Sequence, residues 1–396
     1  MTISIAGTRM QTWALFWHIR LITDQPIALG GIGFARILPI ILFSLVGGAV
    51  ADVINRRRLL FITQTLMALT AVFLAWLTFQ EVITIWQIYL LTALQAAAGT
   101  FDTPARQAMV PNLVPPGELP NAFSLTSIGF QVGAIVGPAI SGLIIAYWGL
   151  EYIYLINAAT YGAVILALIL MGPVAQKSDP DKRTTVSLPA IREGIQFIFS
   201  SPIILSTMLL DFFATFFSSA NTLMPIFARD ILQVGAIGYG WLSAAQSIGA
   251  VIAGIVVSQL GEVRRQGRVF LISVVCFGLA TIAFGLTRSF TAAMLALMVI
   301  GASDSVSMII RNTIRQLQTP DYIRGRMTSV NQIFFMGGPQ LGEVEAGIVA
   351  QLFGATFAIV SGGVGCLLAV GWISRRWPVL RTYNGDEPIL AGAMAD

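Results

Sequence analysis

Twelve apolar runs, each long enough to cross a membrane as a helix, occupy most of this chain. They fall at 1–20, 28–51, 59–80, 84–105, 121–147, 151–171, 202–227, 236–260, 269–287, 291–313, 327–352 and 354–374. A spanning helix takes about 20 residues. Runs of this length are too long for strands and too uniformly apolar for the surface helices of a soluble domain. They are stable where lipid solvates their outer faces and each helix satisfies its own backbone. Only 11% of the 396 residues are charged, whereas a soluble domain carries about a quarter. The expectation is an all-α, multi-pass membrane protein in a lipid bilayer, with no polar block large enough for a soluble catalytic domain. Cys276 and Cys366 lie inside apolar runs and read as small packing residues, not a disulfide.

Positive charge sets the expected orientation. With the chain starting inside, the even-numbered loops and the tail hold eighteen of the 23 Lys and Arg. They include Arg56–Arg58, Arg106, Arg264, Arg265, Arg268, Arg311, Arg315 and Arg375. Arg20, Arg229 and Arg288 fall on the other side. Both termini are therefore predicted to be cytoplasmic. The net charge of +4 reports orientation and no nucleic-acid partner. The first run begins at Met1 itself and carries Thr8, Arg9, Gln11 and Thr12, so it is expected to lack part of helix 1. Arg9 interrupts any signal-peptide core.

One long polar connector occupies 172–192, near the middle of the chain. After it, Ile191, Ile195 and Ile198 share a helical face opposite Arg192, Glu193 and Gln196. That pattern fits an amphipathic helix on the membrane surface or a cytoplasmic extension of span 7. The domains expected are a first half over 1–171, a linker over 172–200, a second half over 201–374 and a disordered tail over 375–396.

The halves echo each other. Gly99-Thr-Phe-Asp102 recurs as Gly301-Ala-Ser-Asp304, and Gly137-Pro138 as Gly338-Pro339. The end of span 2, from Gly48 to Asn55, has a faded copy from Gly254 to Gly261. Three echoes in one order imply two six-helix halves in the same orientation.

The stretch Gly47-Gly48-Ala-Val-Ala-Asp52-Val-Ile-Asn55-Arg56-Arg57-Arg58 resembles the signature loop between helices 2 and 3 of the major facilitator superfamily. Two positions depart from that pattern: Val53 replaces a basic residue and Asn55 a glycine, a change that Asn tolerates in a left-handed turn. Asp102-Thr-Pro-Ala-Arg106, Leu119-Pro-Asn-Ala122, Arg311-Asn-Thr-Ile-Arg-Gln316 and Pro320-Asp-Tyr-Ile-Arg324 are similar to the enterobactin-exporter-like and macrolide-efflux-like subgroup. The resemblance runs from about Met10 to Trp377. It implies a twelve-helix bundle of two halves in a bacterial-type inner membrane and export of a small molecule, siderophore-like, drug-like or otherwise amphipathic, by alternating access coupled to protons. It also implies a cytoplasmic charge latch of Gly48, Asp52, Arg56, Arg57, Arg58, Asp102 and Arg106, with Asp304 and Arg311 as partial counterparts. Gly133, Gly137, Pro138 and Gly142 resemble the antiporter motif of helix 5, with Ser141 replacing a glycine; plain helix packing accounts for the same residues. Gln95 stands where drug–proton antiporters of the superfamily carry a buried Arg.

Charges inside spans are costly, about 2.5–3.5 kcal/mol each on insertion scales, and so mark interiors. Arg36, Asp211, Glu343 and Glu345 are the candidates for cavity or coupling roles. Arg36 is expected either to pair with Glu343 across the halves as an outer gate or to sit in a static pair within one bundle. Asp211 is a second candidate for protons or cargo. With one histidine (His18) and no Cys/His cluster, no metal, cofactor or catalytic residue is expected. A passive facilitator or sensor on the same fold is the alternative. The oligomeric state is not encoded in these patterns.

Overall fold

The computed structural model describes residues 2–171, 188–218, 220–260, 263–320 and 323–385. These contain long helices and, among the described residues, no strand. In the first half they are α1 (Thr2–Ile22), α2 (Pro26–Val53), α3 (Arg56–Phe79), α4 (Ile85–Met109), α5 (Leu119–Tyr147) and α6 (Leu150–Leu170). Then come α7 (Leu188–Ser200), α8 (Pro202–Phe217), α9 (Ala220–Ile226), α10 (Gly235–Gln259), α11 (Gln266–Leu286) and α12 (Phe290–Leu317). The last are α13 (Arg324–Phe353), α14 (Ala355–Arg376) and the short α15 (Val379–Thr382). The seventh run is interrupted: α8 ends at Phe217 with Ser218 as its C-cap, and α9 passes into a π-helical turn over Phe227–Ile231, where Leu232 N donates to Phe227 O at 2.7 Å.

Among the described residues, nine segments are long and apolar enough to cross a membrane. The helices that fall short are α1, α4 and α13, and the reason lies in their side chains. Arg9 and Gln11 interrupt α1, Gln95 and Asp102 interrupt α4, and Glu343 and Glu345 interrupt α13. By contrast, α3 turns Ile62, Leu69, Phe73 and Trp76 outward, an apolar surface that only lipid covers at low cost. Local signals place the ends. Asn55 caps α3 by accepting from Arg58 N at 3.2 Å, and Thr84 N donates to Gln87 Oε1 at 2.7 Å at the start of α4. Asn55 has φ −54°, so its role is an N-cap and not the left-handed turn expected from the sequence.

Contacts divide the chain into two compact units, Met1–Val186 with Gln233–Ala244 and Ser187–Leu232 with Ala245–Asp396. The sequence repeat reappears as the same packing scheme inside each unit. In the first, α3 packs on α4 and α6, while α1 packs on α5 and α6. In the second, α11 packs on α12 and α14, while α8 packs on α13 and α14.

Two expectations need correction. The tail is ordered through 385: Leu380 and Tyr383 are buried in the core of the second unit, and Gly267 N donates to Tyr383 O at 3.0 Å. Two apolar anchors separated by one helical turn outweigh the polar composition around them. The helix after the linker is α7, separated from α8 by extended Ser201 and helix-starting Pro202, so it does not continue span 7. It buries Gly194, Phe197 and Ile198, while Ile195 is exposed; the inward stripe is thus i, i+3, i+4 from Gly194. Gly194 approaches the backbone of Arg326, and Glu193 pairs with Arg326. Linker residues 172–187 and tail residues 386–396 lie outside the described residues.

Candidate functional site

A cavity of about 820 Å³ lies within the first unit, walled by α1 to α6. Most of its polar side chains come from α1 and α4, whose apolar pattern is broken. Arg9, Thr8 and Thr12 enter from α1, Arg36 from α2, Gln64 from α3, and Gln95, Asp102 and Arg106 from α4.

At one end stands Asp102. It is buried, yet both carboxylate oxygens are fully engaged. Oδ2 accepts from Arg106 Nε at 3.1 Å and from a terminal guanidinium nitrogen at 2.8 Å. Oδ1 accepts from Thr63 Oγ1 at 3.0 Å and Gln64 Nε2 at 2.7 Å. The i,i+4 spacing delivers Arg106 to Asp102. Thr63 and Gln64 are additions, and their trace in the sequence is the polar run Thr63-Gln64-Thr65 inside a mostly apolar span.

The basic loop acts on helix ends. Arg56 donates to Ala108 O at 2.8 Å in the last turn of α4. Arg57 donates to Leu168 O at 2.7 Å and Ile169 O at 3.2 Å in the last turn of α6. Carbonyls in a last turn lack helical partners and carry the negative end of the helix dipole, so these two arginines tie the start of α3 to the ends of α4 and α6. The side chains at 44–49 and 51–53, including those of Gly48 and Asp52, lie outside what the structure describes.

Gln95 belongs to a directed hydrogen-bond chain along the cavity wall. Asn157 donates to Gln11 at 2.6 Å, Gln11 to Gln95 at 2.7 Å, and Gln95 to the Tyr161 hydroxyl at 2.9 Å, which also meets Thr8 Oγ1 at 3.0 Å. It links α6, α1 and α4 without an ionised group. Deeper along α1, His18 Nδ1 meets the Tyr154 hydroxyl at 2.9 Å.

The small residues of α5 let backbones approach. A Cβ on Gly137 would stand 2.8 Å from Ala6 O and 2.9 Å from Arg9 Cβ. A Cβ on Gly142 would stand 2.6 Å from Ala236 O and 2.8 Å from Gly240 Cα. Gly133 likewise faces Ile5 and Ala6, and Ser141 Oγ donates to Met10 O at 3.3 Å. Pro138 offers its carbonyl at the same close approach, 2.9 Å from a Cβ on Gly240. Gly133, Gly137 and Ser141 therefore pack α1 and set where Arg9 enters the cavity, while Pro138 and Gly142 pack against the first turns of α10.

The second unit holds a different cluster. Arg311 is buried and meets Asp211 at 2.8 Å and Asp304 at 3.6 Å, and donates to Ser307 Oγ at 3.0 Å. Arg315 donates to Arg311 O at 3.1 Å and to the side chains of Asn312 and Asn331. The sequence pattern treats Asp211 apart from Asp304 and Arg311; the structure joins them. Glu343 and Glu345 are half-buried on α13, and Arg36 lies over the Phe16 ring at 5.4 Å.

Residues 1–388 match the model of a protein family described as transmembrane secretion effector, within the major facilitator superfamily. The chain belongs to that family. An uncharacterized MFS-type transporter, YfiS of Bacillus subtilis (strain 168), is 25% identical over 88% of this chain and 86% of that one. The enterobactin exporter EntS of Salmonella choleraesuis is 26% identical over 84% of this chain and 81% of that one. The fold is similar to that of a bacterial homolog of the lysosomal transporter Spinster in an inward-facing, unoccupied conformation, with TM-score 0.75, 17% identity and 96% of each chain covered. A bacterial homologue of ferroportin follows at TM-score 0.70 and 15% identity, covering 95% of this chain and 96% of that one. The protein is thus a multi-pass membrane transporter of a small molecule and not an enzyme.

Proposed function

We propose that the protein exports a small amphipathic molecule across a bacterial inner membrane by alternating access coupled to protons, with both termini cytoplasmic. The observation that carries the reading is the cavity of about 820 Å³ inside the first unit, large enough for a drug-sized ligand. Helix ends tied by Arg56 and Arg57, and an Asp102–Arg106 pair held by Thr63 and Gln64, give that unit a rigid end against which a gate can close. The enterobactin-exporter relatives support the direction. Coupling is assigned to the Asp211–Arg311–Asp304 cluster, where proton binding to Asp211 would release Arg311. The latch role of Gly48 and Asp52 belongs to the same proposal.

Everted vesicles test it. A substrate panel should include members that accumulate inside energised vesicles, with the accumulation collapsing on addition of an uncoupler. Asp211→Asn should keep substrate counterflow while losing the response to the pH gradient. Uptake indifferent to the uncoupler would replace the exporter with a passive facilitator.

A further inference from the structure

The cavity of the first unit is charged asymmetrically. Four ionisable Arg and Asp side chains line it: Arg9, Arg36, Arg106 and Asp102. Asp102 is the sole acid among them, and its oxygens are already taken by Arg106, Thr63 and Gln64. Arg9 is therefore left on this wall with no lining carboxylate of its own.

Arg9 is the sharper case. Among the described residues no carboxylate pairs with it; its guanidinium lies over the Phe130 ring at 4.9 Å. Arg36 lines the same cavity. Arg9 is seven residues from the Thr2 end of α1 and thirteen from the Ile22 end, about 10 and 20 Å of helix, which places it inside the span. Thr8 and Thr12, whose hydroxyls donate to Ser4 O and Thr8 O, both at 2.9 Å, are neutral and bring no counter-charge. A cation kept inside a span without a counter-ion is a functional marker, and the packing of Gly137 against the Arg9 Cβ fixes where it points from.

We propose that this cavity is an organic-anion site, in which Arg9 receives the carboxylate, sulfonate or phosphate of an amphipathic substrate whose aromatic or apolar body lies along Phe130 and Ile5. Arg9 offers a planar fork of donors suited to such groups. The ring of Phe130, already stacked on the guanidinium, offers a flat apolar neighbour to an aryl group. A cationic group is disfavoured beside Arg9. The assignment rests on the transporter reading above and narrows its substrate class.

The test uses three probes of one shape and different charge: naphthalene-1-sulfonate, 1-naphthol and 1-naphthylmethylammonium. Binding of each radiolabelled probe to the purified full chain in detergent is measured by equilibrium dialysis, and transport in everted vesicles. The sulfonate should bind best, with affinity falling as salt rises. Arg9→Gln should weaken its binding at least about tenfold, Arg9→Lys should restore most of it, and 1-naphthol should bind all three proteins alike. Matching melting temperatures and elution profiles exclude misfolding; if Arg9→Gln misfolds, the charge order of the three probes on the native chain decides. Preference for the ammonium probe, equal sulfonate binding by the native and Arg9→Gln proteins, or no sulfonate binding overturns the proposal. Energised transport of the neutral or cationic probe in those cases leaves the exporter reading standing. Sulfonate binding without energised accumulation would keep the anion site and end the exporter reading.

Discussion

Asp211 on α8 and Arg311 on α12 stand 2.8 Å apart, with only 7% and 3% of their side chains exposed. They are a hundred residues apart in sequence, and each was notable for a different reason: one as an acid in the middle of a span, the other as part of a repeated loop motif. Their meeting places an almost fully enclosed ion pair inside the second unit, whereas Arg9 stands without a lining carboxylate in the cavity of the first.

Removing one member of a buried pair leaves an uncompensated charge and costs about 3–5 kcal/mol, while removing both is far milder. Arg311→Gln is therefore expected to lower the melting temperature in detergent more than the double variant Asp211→Asn/Arg311→Gln does. A double variant that melts below the single one would contradict this reading.

Asp102 accepts four hydrogen bonds with its two oxygens. Asp102→Asn replaces one acceptor oxygen with a donor nitrogen, facing either Arg106 or the Thr63–Gln64 side. A stability loss of about 1–3 kcal/mol follows from the donors left without an acceptor. Thermal melting measures it, and Gln64→Leu in the Asp102→Asn background should cost less than in the native chain.

The spans were legible because the bilayer imposes one length and one composition on every helix that crosses it, and α2 through α6 begin and end close to the apolar runs. The interruption of the seventh span was not legible. Phe227–Ile231 is as helix-compatible as its neighbours, and a π-helical turn depends on packing. The Asp102–Arg106 pair could be read because both partners lie on one helix face. The Asp211–Arg311 pair could not, since nothing in local spacing links α8 to α12. Arg9 was visible only as a flaw in the first span; its meaning needed the cavity. The tail misled because Trp377, Val379, Leu380 and Tyr383 are scattered among polar residues and too few to read as a span, although Pro378, at the N-cap of α15, was a local hint.

The small stripe of α5 makes a steric forecast. A Cβ at Gly137 would fall 2.8 Å from Ala6 O, a backbone atom, so Gly137→Ala should push α1 outward and cost about 1–3 kcal/mol. Gly162 faces open space within 4 Å, so Gly162→Ala is the matched control and should leave the melting temperature unchanged or raise it. Equal melting of the two variants would refute the close packing.

The segment after α14 is expected to act as a clamp on the second unit. Leu380→Ala removes a fully buried side chain from its core and should cost about 2–5 kcal/mol. Tyr383→Phe removes the acceptor of the 3.2 Å bond from Gln318 Nε2, a loss of about 1 kcal/mol. Limited proteolysis should then cut between Arg376 and Thr382 in Leu380→Ala and spare the native chain; protection in both would show that Leu380 does not hold the clamp.

The Gln95 chain is a network whose members cannot be valued one at a time. Gln95→Leu deletes both the acceptor of the Gln11 amide and the donor to Tyr161, leaving Gln11 with an unspent donor on a wall of the cavity. Tyr161→Phe removes the hydroxyl that Gln95 and Thr8 share, leaving the Gln95 amide unspent in its turn. Once either change is made, the bond between Gln95 and Tyr161 is already gone, so the second change has less to destroy. The double variant should therefore melt higher than the sum of the two losses requires, with a coupling of about 0.5–3 kcal/mol. Additive losses would mean that the four side chains sit side by side without acting as one, and that the place of Gln95 in the wall is one of shape alone.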